Sequence, residues 1–561
     1  MKTKIGVRDF IDCSRKRTRI TAKMDPSAPF ILDGSILEGG GQLIRTALSL
    51  SCIIKAPVEI SQIRKNRPKP GLAAQHLAGA RLVSMISGGT LKGDEIGSTE
   101  LEHTSGVFAL KSRYLADCGT AGAITLLLQV SLPCLVVPIS HAISNPTEGP
   151  RAADKCDSTV VEYRGGTNVI LSPPIDHTTH VFLPLLGRMI EMRNSLRISV
   201  LRRGFYPRGG GVVKLNISDG NSLNIAEQQQ HRVSAINLTD RGRVTAVRAV
   251  VFGNNSAEQK LRIKELLLTA LQENFLTTVQ AEQQEVSASE EALTSADSDE
   301  KKRTSNGQED IPVSVTFDYE EDKGEMEGEL TQSDTCSDAA PAQELGNAKS
   351  VAEDSKNTGS MRKRHKGRDS NYNAPRESKS RWKYEVITTG AIVWFITDTG
   401  CHVSSNFTLQ YRKDTSDPDS LDCPTSAMEI SSSSTRTHPK PDAAHDTDLT
   451  YHEVEGVRVA VDELLFLYQS KACVDEHTAD QLLIYMALAS GESQIRCAPR
   501  CENSSLHIET VMRVVSDLGC AQFKMIVEDE DHPAAPSGCR RIICSGMQGK
   551  GEGKGMSNTL S

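Results

Sequence analysis

A chain of 561 residues has ample length for a buried core and, by length alone, for three to four domains. Its 64 basic and 72 acidic residues leave a formal net charge of −8, which excludes a globally basic nucleic-acid binder but not a local cationic site. The fourteen cysteines form no dense framework, Met1–Met24 is polar and basic, and no apolar run approaches the roughly 18 residues that span a bilayer. A soluble protein of a reduced intracellular compartment is expected.

In chain order, residues 1–27 are predicted to be a flexible extension. A unit then begins that recurs three times: helix, strand, helix, hairpin. Its first copy reads GGQLIRTALSLS, VEISQIR, GLAAQHLAGARLVSMIS and TLKGDEIGSTELEHTSG, with helical apolar spacing in the first and third segments and β-branched strands elsewhere. The first helix opens on Glu38-Gly39-Gly40-Gly41-Gln42, with Arg45 one turn on. Glycines permit positive φ and close backbone approach, and free amides at a helix start attract phosphate. Glu38 is suited to a magnesium ion on such a phosphate; a plain tight turn is the alternative reading. The loop Ile63-Arg64-Lys65-Asn66-Arg67-Pro68-Lys69-Pro70-Gly71 carries four cations stiffened by two prolines, and Gln75 and His76 follow on the next helix. Arginine forks suit phosphate, whereas a solvated charged loop is the bland alternative.

The second copy runs GTAGAITLLLQVSLP, VVEYRGG, DHTTHVFLPLLGRMI and RISVLRRGFYPRGGGVVKLNI. Its hairpin turn, Arg202-Arg203-Gly204-Phe205-Tyr206-Pro207-Arg208-Gly209-Gly210-Gly211, interleaves cations with aromatics, as single-stranded RNA contacts do, with a plain hairpin turn and an aromatic plug as the equal alternative. Repeats one and two are assigned to residues 28–223. Extra material over 224–384, with the strand RVTAVRAVVFG and the helix EQKLRIKELLLTALQEN, suggests a small inserted α/β domain. Within it, about 280–380 is too polar to offset its ordering entropy and is predicted to be disordered, as is about 413–447. The strand pair EVITTGAIVWFITDTGCHVSSN is assigned with the third copy to residues 385–548, and 549–561 to a flexible tail. The basic cluster Met361–Arg368 reads as a nuclear import signal or a nucleic-acid contact, against a charged linker. Cys497, Cys501, Cys539 and Cys544 lack the spacing of paired zinc knuckles.

The third copy runs DEHTADQLLIYMALASG, SQIRCA, SLHIETVMRVVSDL and AQFKMIVED…CRRIICSG. It sets His477 at the start of an apolar helix among Asp475, Glu476, Asp480 and Gln481. A lone histidine there is by default a packed core residue, with nucleophile or acid–base catalyst as the functional alternatives.

Together EGGGQxxR, IRxNRPKPGLxxQH, GTAGAxTLLLQ, RGGTN, RRGFYPRGGG and DEHxxDQL resemble, in this order, the RNA 3′-terminal phosphate cyclase family, over roughly residues 30–250 and 385–545. The resemblance implies an α/β fold of α+β layers: three repeats similar to the C-terminal domain of translation initiation factor 3, plus a smaller inserted α/β domain. It implies that His477 accepts AMP from ATP, that AMP passes to an RNA 3′-phosphate, and that the neighbouring 2′-hydroxyl displaces it to leave a 2′,3′-cyclic phosphate. Arg45, Arg64 and Arg67 then match catalytic positions. Gln42, Gln75, Gln129, Asp480 and Gln481 match the nucleotide and phosphate site, Asp480 or Gln481 also being suited to fix the imidazole tautomer. Glu38 matches the Mg2+ (or Mn2+) ligand. RNA with a 3′-terminal phosphate and ATP are the implied partners, and the nucleoplasm the implied compartment, with the cytoplasm second. The chain departs from the family after Asn406, where FTLQYRKDTSDPDS replaces a short glycine- and cation-containing loop and Arg412 and Lys413 are the nearest cations, and again at the extension SHAISNPTEGPRAADKCDS. Two rivals are a non-catalytic cyclase-like ribosome-assembly factor, which lacks the histidine and much of the arginine set, and an enolpyruvyl transferase built on similar repeats.

Overall fold

A computed structural model describes residues 28–107, 111–137, 158–190, 196–218, 233–294, 310–318, 384–414, 431–432, 449–499, 505–528 and 538–547. The first unit is β1 (Phe30–Asp33), α1 (Gly41–Ile54), β2 (Val58–Ser61), α2 (Ala74–Ser87), β3 (Thr90–Lys92) and β4 (Leu101–Thr104). Its strands lie in the order β1-β2-β4-β3, with β1 parallel to β2 and the rest antiparallel. The second unit, β5 (Arg113–Asp117), α3 (Ile124–Val136), β6 (Ser158–Gly165), α4, β7 (Leu196–Arg202) and β8 (Gly211–Ser218), repeats that order as β5-β6-β8-β7. Helix α4 joins the turns Ile175–His177, Thr178–Phe182 and Leu183–Leu186. Pro184 has no amide to close an α-turn on His180, and the middle turn widens so that the Leu183 amide donates to the Thr178 carbonyl.

Each unit thus starts with a strand that the repeat pattern left out. The third unit's first strand, β9 (Asn237–Leu238), lies far from the rest of its unit in sequence because a second domain follows it. That domain comprises β10 (Val244–Gly253), helix α5 (Ala257–Ala270, continuing through Leu271–Leu276 and Thr277–Thr294), β11 (Val313–Phe317), β12 (Tyr384–Thr397), β13 (His402–Asp414), β14 (Ser431–Ser432) and α6 (Leu449–Gln469). Its sheet runs β11-β10-β12-β13-β14. The chain then returns to α7 (Glu476–Leu488), β15 (Ser493–Cys497), α8 (Ser505–Asp517), β16 (Phe523–Val527) and β17 (Arg540–Cys544), whose sheet is β9-β15-β17-β16.

Several expectations change accordingly. The strand pair β12–β13, assigned to the core with the third unit, belongs to the inserted domain's sheet: β12 pairs with β10 from Val244↔Thr397 to Gly253↔Thr389. A hairpin's own turn says that its strands pair with each other, not which sheet they join. Helix α6 was not assigned from sequence, although Val457, Ala460, Val461, Leu464 and Tyr468 repeat at helical spacing and are buried. The tract taken as disordered from about residue 280 holds the end of α5 to Thr294 and all of β11. Likewise β13 carries Arg412 and Lys413 onward as strand, paired with Val386 and Glu385. The terminal segments, the basic cluster 361–368, the extension at 140–157 and Cys501 lie outside the described residues, except that the extension is picked up at Ser158 by β6.

Apolar burial explains how the units join. Every residue of α1 from Gln42 to Ile53 is buried, because α1 packs against α2, α3 and α8 at once. Helix α7 packs on α8 and also reaches α3. The helices of all three units therefore share one layer, and one continuous apolar core runs from Leu32 to Cys544.

Candidate active site

Helix starts from different units meet on one side of that layer. Helix α1 begins after Gly40 with neither a side-chain cap nor an acidic residue in its first turn, so its first amides are unclaimed by side chains. Gly39 has φ 57°, a region that glycine enters freely. A Cβ on Gly40 would fall onto the Glu38 carboxylate, and one on Gly41 would lie 2.5 Å from His76 Nε2 and 2.7 Å from Arg45 Nη1. The glycine run is thus a close-approach device, with more to it than a turn.

Arg45 is buried, with its Nη2 donating to Gln42 Oε1 at 2.6 Å and its Nε lacking a partner among the described residues. Burial lowers its pKa, opposed by the nearby Asp480 and Glu38 carboxylates. Arg67 donates to both the Glu38 carboxylate and, at 3.1 Å, the Glu38 carbonyl. Glu38 Oε2 has no hydrogen-bond partner among the described residues. Arg64, at φ 52°, donates to the Gly71 carbonyl at 2.8 Å and so folds the cationic loop back on itself. The side-chain Oε1 of Gln75 accepts from the Ala123 amide at 3.1 Å, tying the loop before α3 to the start of α2. Gln129 on α3 reaches Gln42 at 3.4 Å and, among the described residues, leaves its own Oε1 unpaired.

His477 stands in the first turn of α7, in the same cluster. Burial, with help from His177 and His507 and against the pull of Asp475, lowers its pKa to about 4. The imidazole is therefore neutral at physiological pH. Helix α7 is capped by Asp475, whose Oδ1 accepts from the Thr478 amide at 2.8 Å. The same carboxylate lies 3.2 Å from His177 Nε2, and its Oδ2 accepts from the Ser404 amide at 3.0 Å and the Ser404 hydroxyl at 2.7 Å. Burial alone would raise the Asp475 pKa, but His177, His477 and Ser404 hold it below the usual carboxylate range. The His177 ring meets His477 edge-on, with centroids 5.7 Å apart.

The tautomer-fixing role expected of Asp480 or Gln481 is not what the geometry provides. Gln481 Nε2 donates at 2.6 Å to the main-chain carbonyl of His477, and Asp480 sits beside Arg45. Burial drives the Asp480 pKa up to about 8, with Glu476, Asp475 and Glu38 adding to it and Arg45 opposing. All ten residues singled out from sequence lie in or beside this cluster. Those that were missed are Asp475 as a cap, His177, Ser404 and His507. His507, on α8, has its pKa lowered by burial and by Arg45 and Arg67, with Glu38 opposing. The DHTTH and SLHIET segments carried these histidines, but nothing local to them points toward residue 477.

A family model described as RNA 3′-terminal phosphate cyclase matches residues 36–525 of the chain. Similar relatives bear the same description. One from Archaeoglobus fulgidus is 43% identical over 187 residues, covering 33% of this chain and 50% of its own length. Another, from Sulfurisphaera tokodaii, is 36% identical over 245 residues, or 43% of this chain and 62% of the relative. A third, from Trichormus variabilis, is 37% identical over 225 residues, or 39% and 56%. The chain thus spans about half to three-fifths of the length of these curated relatives.

Proposed function

Because the chain belongs to the RNA 3′-terminal phosphate cyclase family, we propose that it converts an RNA 3′-terminal phosphate into a 2′,3′-cyclic phosphodiester, with ATP as adenylyl donor and His477 as carrier. The observation that carries this reading is a neutral imidazole whose neighbour His507 and helix-mate Asp480 both sense Arg45 and Glu38, at the uncapped start of α1. A ring nitrogen of His477 attacks the α-phosphorus of ATP, the bond to the bridging oxygen breaks and pyrophosphate leaves. An oxygen of the RNA 3′-phosphate then takes the AMP, breaking the phosphorus–nitrogen bond. Finally the 2′-hydroxyl attacks the 3′-phosphorus, AMP departs and the ring closes.

Little covalent chemistry is asked of the other residues; their work is position and charge. The unpaired Arg45 Nε, the orphaned Gln129 Oε1 and the first amides of α1 are suited to phosphate and nucleotide atoms. His177 and Asp475 hold the start of α7 so that His477 presents its ring at one place. The free oxygen of Glu38 fits a magnesium or manganese ion, which would neutralise phosphate charge there. The same reading takes the three units as repeats similar to the C-terminal domain of translation initiation factor 3. It favours the catalytic branch over a cyclase-like assembly factor because His477, Arg64 and Arg67 are all present. A nuclear compartment is proposed on the basic cluster 361–368.

Incubation with ATP labelled in the α-phosphate and magnesium tests the proposal. Wild-type protein is expected to gain protein-linked AMP, and His477→Ala none. Full labelling of the variant would remove His477 from the mechanism.

A further inference from the structure

The second unit's sheet differs from its counterpart in the first unit on the face turned away from the helices. Tyr114, Ala116, Val161, Tyr163, Val213 and Leu215 point into the core. The alternate residues form three cross-strand rows on the outer face. Nearest the hairpin turn stand Asp117, Arg164, Val212 and Arg202; next come Leu115, Glu162, Lys214 and Ser199; farthest are Arg113, Val160, Asn216 and Arg197. These twelve positions carry five cations against two carboxylates, and both carboxylates are engaged locally: Glu162 by Arg164 at 2.8 Å, Asp117 by the Gly119 amide at 2.7 Å. The equivalent row of the first sheet is Ile31, Glu59, Glu102 and Lys92, with the opposite balance. Of the three topologically equal sheets, the third also carries outer cations, but its Arg496 and Arg541 both pair with Glu528 at 3.0 Å. In a chain of net charge −8, the second unit's face is therefore a distinct electrostatic feature.

The near end of this face adjoins the candidate active site. Arg203 grips Asp176 through two bonds of 2.7 Å, and the next residue, His177, faces His477. Gly209 at the turn packs on Thr120 and Ala121, and Gly122 of that loop packs on Gln75. At the tip of the turn Tyr206 is 53% exposed and Arg208 is exposed.

We infer that this face is the track for the single-stranded RNA leading up to the 3′ end, with Tyr206 and Arg208 at the mouth of the site and Arg113, Lys214 and Arg197 on phosphates farther upstream. The inference rests on the RNA-end reading proposed above. Cations along an extended face follow a flexible backbone without reading sequence, and a single exposed tyrosine offers a stacking surface to any base. The far row lies about 13 Å along the strands from the near row, beyond the reach of a dinucleotide seated at His477.

The test uses the full chain and its Arg113→Ala/Lys214→Ala/Arg197→Ala variant, with a fluorescent 12-nucleotide single-stranded RNA ending in a 3′-phosphate, read by anisotropy across a salt series. The variant is expected to bind at least tenfold more weakly, with the slope of log affinity against log salt reduced by about 2, since each lost phosphate contact on a single strand is worth about 0.7. Self-adenylylation and turnover of a 3′-phosphorylated dinucleotide should match wild type. Unchanged affinity and slope would overturn the track, as would equal loss on the dinucleotide, or tighter competition by an acidic peptide than by RNA. Were wild type to bind the 12-mer through this face yet cyclise neither RNA, the catalytic reading would fail while the track stood.

Discussion

Gly41 shows how tightly the first helix is built around its own arginine. Any side chain at this position meets His76 Nε2 and Arg45 Nη1 at 2.5 and 2.7 Å, so alanine can enter only by pushing one of them aside. Alanine is the better helix former by about 1 kcal/mol, which offsets part of that clash in stability. Catalysis has no such offset, because a displacement near 1 Å at a positioned group can cost about 100-fold. Gly41→Ala is therefore expected to keep its fold, with little change in the melting temperature, while the rate of protein-linked AMP formation falls by about 10- to 100-fold. A variant with wild-type adenylylation would mean that Arg45 does not act where the geometry puts it. The same tight surroundings explain His76, whose pKa drops to about 3 through burial and the charges of Arg45 and Arg64.

At the scale of elements, the start of α7 is held from three directions. Asp475 caps the helix on Thr478, accepts both donors of Ser404 on β13, and faces His177 on α4. The inserted domain, the second unit and the third unit thus meet on one buried carboxylate. Replacing an N-cap aspartate by alanine costs about 1–2 kcal/mol. Leaving the Ser404 amide and hydroxyl without an acceptor adds about 1–3 kcal/mol. Asp475→Ala should therefore lower unfolding free energy by more than about 2 kcal/mol in urea titration and slow adenylylation as well. A loss within 0.5 kcal/mol, the range of an ordinary surface change, would contradict this account.

Over the whole molecule, the ionisable groups favour a stability optimum slightly below neutrality. His76, His103 and His477 are held at about 3, 4 and 4, all below the ordinary value of 6.5. His103 achieves this in a dry pocket where the hydroxyls of Ser51 and Ser87 bond its two nitrogens at 2.8 and 3.1 Å, an arrangement that satisfies the neutral ring. Between pH 6.5 and 4 the unfolded chain takes up protons at these positions and the folded chain does not, so stability falls as pH falls. Asp480 acts in the opposite sense. Held near 8, it keeps a proton when folded that it loses when unfolded, so its contribution declines as pH rises from 3.8 to 8. Three histidines outweigh one aspartate below pH 6.5; above it the aspartate acts, opposed from about pH 7 by Cys401, whose thiol pKa the Cys473 hydrogen bond lowers to about 7. Urea midpoints measured from pH 4 to 8.5 should rise toward about 6.5 and then decline gently until the thiol offsets the aspartate. A midpoint that climbs steadily to pH 8.5 would contradict the Asp480 assignment.

Much of this protein was legible in the chain by itself, because the relevant signals are local. Helical and alternating periodicity, the glycines before α1, the prolines stiffening the cationic loop and the DEHTADQL segment each act within about ten residues. Reading them gave the three units and the inserted domain, and the resemblance of these motifs, in their order, to a known family supplied the ten candidate residues, including His477, Glu38 and the arginines. What remained hidden depends on partners remote in sequence. Whether β12 and β13 join the core or the insert is decided by the pairing of β12 with β10, about 140 residues earlier in the chain, β13 following as the partner of β12. Strand β9 pairs with β15 only after an entire domain has intervened, and a two-residue ladder has no signature of its own. Asp475 meets Ser404 across 71 residues and His177 across 298, so no spacing in the sequence could reveal that one carboxylate secures the nucleophile helix. Side-chain chemistry is written in the sequence, whereas its convergence is decided when the three helix pairs bury their apolar faces in one layer.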